Sequence, residues 1–232
     1  MIAKIIVTGL LLARTAWAAE ESWPAALGRM PLGPNPGILN HSNSAPLLLN
    51  GFQSNATVKA LILLPGATDE LYFFRRVHVT LTNEHPTLLD AIVALTNQSP
   101  LRATLRNRLL LIHSDEDVLD LMIEVKHART VEKLKSRKPL AHVAFDDRDW
   151  DKLLDVIQRP VGVTLEPWRG TRGSWHFYRH SFAGWNLTPW ETLQAAAYAG
   201  KTQIIVRRGV ARFEVDSRFG ALPKLESFPP KR

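Results

Sequence analysis

The chain has 232 residues, of which 45% are hydrophobic and 22% charged, with no cysteine and a formal net charge of +7. Without cysteine there is no disulfide framework and no thiolate metal site. The positive balance is basic without being extreme, so charge alone does not single out a nucleic-acid binder.

Residues 1–18 read as a signal peptide: an early Lys4, an apolar run over 5–13, and Ala16-Trp17-Ala18 in the small-x-small form of a cleavage site. The run is far below the ~20 residues that span a bilayer, so the expectation is export to a bacterial-type periplasm or cell envelope, with no membrane-spanning helix. Cleavage after Ala18 removes Lys4 and Arg14, leaving 29 − 2 = 27 basic residues against 22 acidic, a net +5. Residues 19–55 are rich in Pro, Gly, Asn and Ser with little periodicity, which predicts a flexible or loosely packed arm whose run 46–49 can dock on the folded part.

A first unit is expected over 56–113. The run at 57–64 predicts a strand, and Val77, Val79 and Leu81 alternate with His78, Thr80 and Thr82, giving a second strand with one buried and one wet face. Leu88, Ile92 and Leu95, with Leu89 and Val93 beside them, form a helical stripe that Asn83 or Glu84 opens and Asn97, Ser99 and Pro100 stop. Two β-rich runs around an Arg-Asn-Arg turn at 106–108 then predict a hairpin.

Over 114–139 the spacing predicts a helical connector. Ser114 is its cap, Asp115, Glu116 and Asp117 fill the first turn, and Val118, Leu121, Met122 and Val125 form the apolar face. Lys133, Lys135, Arg137 and Lys138 make a basic run that reads as a solvated helix end or linker, or as a patch for an acidic partner or anionic lipid.

The helix, stop, strand, turn and strand of the first unit recur at the end of the chain. Over 183–220, Thr188-Pro189-Trp190 opens a helix, Gly200 closes it, and strands at 202–206 and 210–215 flank a basic turn, Arg207-Arg208-Gly209. The distances from Pro86 to Leu89 and from Trp190 to Leu193 are both three residues. A middle copy is plausible over 140–182, with Trp150, Leu153, Leu154 and Ile157 on one helical face, a break at Arg159-Pro160, and strands around a Gly-rich bend. Residues 221–232 form a tail. The expected fold class is α+β: two or three small β-α-β-β repeat units after a flexible N-terminal arm.

The segments carrying the pattern are VHVTLTNEHPTLLDAIVALTNQSPLRATLRNRLLLI and NLTPWETLQAAAYAGKTQIIVRRGVARFEV. Together they resemble the STN domain, the short domain at the N-terminus of secretins and TonB-dependent receptors, and the related small repeats of secretin periplasmic regions. The resemblance covers a third to a half of the chain. The first copy departs from it in placing Asn-Gln-Ser-Pro where the family usually has a glycine turn, and neither a secretin channel nor a receptor barrel follows. It implies a small αβ unit that contacts other protein segments.

Candidate chemistry is sparse. Asp147, Asp149 and Asp151 alternate as in a calcium loop, but the glycine and the distal glutamate are missing, so a carboxylate-rich helix start is the better reading. His176 and His180 lie in an aromatic stretch that reads as a strand, where residues four apart are separated by about 13 Å, too far to share one metal ion. Ser174 and Ser181 have histidines nearby in sequence only, and no nucleophile motif, phosphate loop or dinucleotide fingerprint occurs. No metal, cofactor or catalytic residue is therefore assigned, and the chain is read as not an enzyme.

The expected function is that of an exported adaptor or envelope-complex component that binds an acidic protein or peptide segment. A partner's strand would add to 202–206 or 210–215, with Ile204 and Val206 on the strand and Arg207 and Arg208 selecting acidic residues. A glycan- or peptidoglycan-binding surface built from Trp168, Arg169, Arg172 and Trp175 is the alternative. A hydrolase with a dispersed site is the third. Export excludes nucleic acid as the expected partner.

Overall fold

A computed structural model of the chain describes residues 22–40, 42–64, 77–114, 119–148, 157–166 and 180–215. Its class is α+β. A five-stranded sheet in the order β4-β5-β2-β9-β7 joins β4 (Leu101–Arg106), β5 (Leu109–Ser114), β2 (Ala60–Leu63), β9 (His180–Leu187) and β7 (Leu140–Arg148). A four-stranded sheet in the order β6-β10-β11-β8 joins β6 (Ile123–Val125), β10 (Thr202–Arg207), β11 (Val210–Val215) and β8 (Thr164–Glu166). A small pair joins β1 (Ile38–Asn40) to β3 (His78–Thr80).

The central strands of the five-stranded sheet, β2 and β5, are covered on both faces, which explains their unbroken apolar runs. In β2, Ala60 and Ile62 enter one core, while Leu61 and Leu63 enter the other. Leu109 and Leu111 of β5 likewise oppose Leu110 and Ile112. A strand buried on both sides has no need for a polar face. One core holds α1 (Trp23–Leu27), α2 (Ser44–Gly51) and α3 (Leu88–Gln98). The other holds α4 (Ala128–Ser136) and α5 (Pro189–Ala199), which lie between the two sheets. Being enclosed, α5 is buried nearly all round, with Leu193, Ala195, Ala196, Ala197 and Ala199 at 0% exposure. Its alanines let both sheets approach.

Both helix-and-hairpin segments were legible, and they match more closely than the sequence spacing suggested. Every bound of the second lies 101 residues after the first: Leu88 and Pro189, Gln98 and Ala199, Leu101 and Thr202, Arg106 and Arg207, Leu109 and Val210, Ser114 and Val215. Each helix opens on a capping box, Thr87 with Asp90 and Thr188 with Glu191. The threonine hydroxyl accepts the N3 amide, and the N3 carboxylate accepts the threonine amide at 2.7 Å in both. The threonines, not Asn83 or Glu84, are thus the caps, and Leu89 corresponds to Trp190 rather than to Leu193. The hairpin turns match only in part: Asn107 and Arg108 carry φ of 48° and 65°, whereas in the second turn Gly209 carries 70° and Arg208 is not at positive φ.

Three expectations are corrected. Of residues 19–55, expected as a loose arm, the described part instead supplies Leu27, Leu39, Leu48, Leu49 and Phe52 to a core. Their asparagines satisfy backbone groups: Asn35 Nδ2 donates to the Asn83 carbonyl at 2.6 Å, and Asn55 Oδ1 accepts the Thr57 and Val58 amides at 2.7 Å. The connector is not one helix from Ser114. Ser114 ends β5, β6 takes 123–125, and α4 starts at Ala128. The middle copy does not close as a helix and hairpin in its described part. Residues 157–161 are helical through Pro160, β8 pairs with β11, and β9 pairs with β2 and β7 in the other sheet. The signal peptide, the tail, Trp150, Ser174 and His176 lie outside the described residues.

Candidate functional site

Strand addition at β10 or β11 would need a free edge, and neither strand has one. β10 is held between β11 and β6, and β11 between β10 and β8. Ile204 and Val206 are at 0% exposure in the core between the sheets. The reason is distant in sequence. The Ile204 amide donates to the Met122 carbonyl at 3.0 Å and the Lys126 amide to the Val206 carbonyl at 2.8 Å, so β6 satisfies groups that burial would otherwise leave unpaired. Arg207 and Arg208 are exposed as expected. Trp168, Arg169, Arg172 and Trp175, the residues of the glycan reading, lie outside the described residues.

The edges of the described sheets differ in how well they are guarded. β4 carries exposed Arg102 and Arg106. In β7 the register with β9 shifts between Phe145 and Arg148, and β8 is a three-residue strand with exposed Thr164 and Glu166. Charges, irregular pairing and shortness are the ordinary means of blunting an edge. β6 is short too, but Val125 is 47% exposed and Met122, just before it, 39%. These are two of the four large apolar side chains that stand exposed among the described residues. Met122 and Lys126 turn backbone groups toward β10, so by alternation Ile123 and Val125 turn theirs outward.

The register fixes what lies beside this edge. On the sheet face away from the core, Glu124 neighbours Ile205, then Arg212 and Glu166. One step along, Lys126 comes beside Arg207, with Arg208 in the turn beyond. Lys126 reaches Glu124 at 3.1 Å, and Arg212 reaches Glu214 at 3.0 Å. Arg129, Arg207 and Arg208 meet no carboxylate among the described residues. Like charges placed side by side on one sheet face weaken it.

This basic end is held firmly. Thr130, 4% exposed in α4, accepts the Gly209 amide on its Oγ1 at 3.1 Å, and the same oxygen lies 2.8 Å from His127 Nδ1. The Gly209 carbonyl accepts the Thr164 amide at 2.9 Å. The hairpin turn bearing Arg207 and Arg208 is therefore tied to α4 on one side and to β8 on the other.

Elsewhere, a shallow depression is lined by Arg29, Pro31, Gly33, Pro34, His85, Pro86 and Thr87, with no Ser, Asp or Glu among these lining residues. Trp185 lies in β9 with its ring stacked on His142 at 4.0 Å. Lys59 and Glu191 form a largely buried ion pair at 2.7 Å that joins β2 to the cap of α5. No helix among the described residues is long and apolar enough to cross a membrane. No protein-family model, curated protein or solved structure matches the chain.

Proposed function

We propose that this chain is an exported, non-catalytic adaptor that binds another envelope protein by accepting one of its segments as an added strand at β6. One observation carries the reading. The outer strand of the four-stranded sheet combines outward backbone groups, two exposed apolar side chains, and a basic end whose arginines have no carboxylate partner among the described residues. Main-chain bonds to an edge supply affinity, and side chains facing the added strand supply selectivity. The resemblance to the STN domain and the signal-like residues 1–18 support the same reading of a periplasmic binding unit.

The test places a photo-crosslinking side chain at position 125 of the exported protein in cells, with position 144 on β7 as control. A discrete adduct with one envelope protein from 125 and not from 144 is the expected result. Equal labelling from both positions, or cell-wall glycan recovered with the protein while 125 labels nothing, would overturn the proposal.

A further inference from the structure

The rows of the four-stranded sheet specify what the added segment must look like. On the open face Glu124 of β6 stands between Met122 and Lys126, the residues that flank the strand, and on the core-facing side are Ile123 and Val125. A strand laid against β6 places each of its residues beside one of these, because side chains at matched positions share a face whichever way the strand runs. The residue beside Lys126 extends a row that already holds Lys126 and Arg207, with Arg208 following. An acidic side chain there relieves the like-charge contact. The residue beside Glu124 extends a row reading Glu124, Ile205, Arg212 and Glu166, where a second acid at the edge would be repelled. Ile123 packs on the core between the sheets and Val125 is half exposed, so small β-branched residues fit beside them.

Resting on the adaptor reading, we infer that β6 selects an extended partner segment by charge register. The segment carries a carboxylate beside Lys126, a basic or neutral residue beside Glu124, and β-branched residues between. The partner is thus locally patterned rather than uniformly acidic. A polyanion such as nucleic acid or an anionic lipid surface would satisfy Lys126, Arg207 and Arg208 but would set negative charge against Glu124 and Glu166. A second copy of this chain meets the same pattern: antiparallel pairing centred on Val125 sets Glu124 beside Lys126 twice, with Val125 beside Val125 between them. That contact spans only three residues on two exported chains that each carry a net +5. It is far smaller than the ~1,200 Å² or more of a stable interface. A distinct partner chain is therefore the assigned occupant.

The experiment uses two labelled synthetic peptides, one with the core Glu-Val-Lys-Val-Glu and one with Glu-Val-Glu-Val-Glu. Flexible tails bring both to the same net charge, and the palindromic cores make strand direction irrelevant. In the second core every register that sets an acid beside Lys126 and a valine beside Val125 sets another acid beside Glu124. Binding is read by fluorescence anisotropy on the wild-type chain, on Glu124→Lys, and on Val125→Pro, which removes an outward amide at an edge position that tolerates proline. Circular dichroism and thermal unfolding confirm that each variant is folded. The wild type should bind the Glu-Val-Lys-Val-Glu peptide about fivefold or more tightly than the other, the scale of two or three exposed charge pairs. Glu124→Lys should invert the preference, and Val125→Pro should abolish both interactions.

Equal affinities in the wild type that are lost in Val125→Pro would overturn the charge register while leaving strand addition intact. Binding that survives Val125→Pro would overturn the register and the edge reading together. Failure of both peptides to bind the folded wild type would overturn the register, with position-125 crosslinking still deciding the adaptor reading by itself. Sedimentation showing a dimer that Val125→Pro dissolves, forming at concentrations below those at which either peptide binds, would reassign the edge to a second copy.

Discussion

Replacing Glu191 separates two contributions that its counterpart Asp90 cannot provide together. Both carboxylates close a capping box, but Glu191 also holds Lys59 at 2.7 Å, with the two side chains only 19% and 21% exposed. Losing the carboxylate arm of the box costs about 1 kcal/mol at either helix. Breaking the ion pair adds more at Glu191. An exposed pair contributes about 0–1 kcal/mol and a fully buried one costs about 3–5 kcal/mol to break, so a pair four-fifths buried should add about 1–2 kcal/mol. Glu191→Ala is therefore expected to lose about 2–3 kcal/mol and Asp90→Ala about 1 kcal/mol.

The assay is urea unfolding at pH 7, read as a lower midpoint at unchanged slope, with Lys59→Met and the double variant completing a cycle. Equal losses at the two helices, or a coupling between Lys59 and Glu191 below about 0.3 kcal/mol, would refute the assignment. Acid tests the same geometry. Burial pushes the Glu191 carboxyl upward, but Lys59 and the amide and hydroxyl of Thr188 outweigh it and hold the group below its usual range. At the other helix the amide and hydroxyl of Thr87 hold Asp90 low in the same way. A carboxyl lowered by folding contributes stability that is complete above its unfolded value, near 4.5 for Glu191 and 3.8 for Asp90, and is lost as pH falls through the folded values. Stability should thus decline below about pH 4.5, and Glu191→Gln should flatten the upper part of that decline.

Three further substitutions probe the packing and the basic end. Gly184→Ala in β9 would drive a methyl group into Leu187 Cδ1 and to 3.2 Å from Ala60 Cβ. It should lower stability by about 1–3 kcal/mol in urea unfolding. Thr130→Val removes the acceptor of the Gly209 amide and should cost about 1–2 kcal/mol, with faster hydrogen exchange at Gly209. Arg207→Ser removes a like charge beside Lys126, so it should leave stability unchanged or raise it by about 0.2–1 kcal/mol while weakening binding of the Glu-Val-Lys-Val-Glu peptide. Loss of stability with intact binding would reverse the assignment of Arg207.

Local chemistry was legible wherever it is written in consecutive residues. The spacing of Leu88, Ile92 and Leu95 identifies the buried face of α3, all three being at 0–1% exposure, and the alternation of Val77, Val79 and Leu81 identifies the buried side around β3. The caps were within reach as well, since Thr-x-x-Asp at 87–90 and Thr-x-x-Glu at 188–191 are capping-box spacings. The N-terminal arm misled because its turn residues are so frequent. Asparagines that look like linker composition are instead tying loops whose leucines are buried. In the connector, acidic residues after Ser114 suggested a helix, while Ile123-Glu124-Val125 also fits the period of a strand. That ambiguity is decided by a carbonyl at Val206, far along the chain, which requires the Lys126 amide.

The same long-range contact explains why the basic turn was found correctly and its partner strand was not. Arg207 and Arg208 are exposed by a hairpin turn that the local sequence specifies, through Gly209 at φ 70°. Whether β10 itself is an edge depends on which distant segment pairs with it, and no local pattern encodes that. Once β6 occupies the position, the exposed apolar side chains move outward with it to Met122 and Val125, and the arginines become the next row in from the new edge. A binding strand beside Lys126 would therefore lie one strand spacing, about 4.8 Å, further from Arg207 than one paired directly with β10. Arginine can span that gap only along the sheet face, so Arg207→Lys, with its shorter reach and single point charge, should weaken binding of the Glu-Val-Lys-Val-Glu peptide nearly as much as Arg207→Ser. If instead Arg207→Lys binds as tightly as the wild type, the arginine acts only through the general field of the basic end, and Lys126 alone reads the carboxylate.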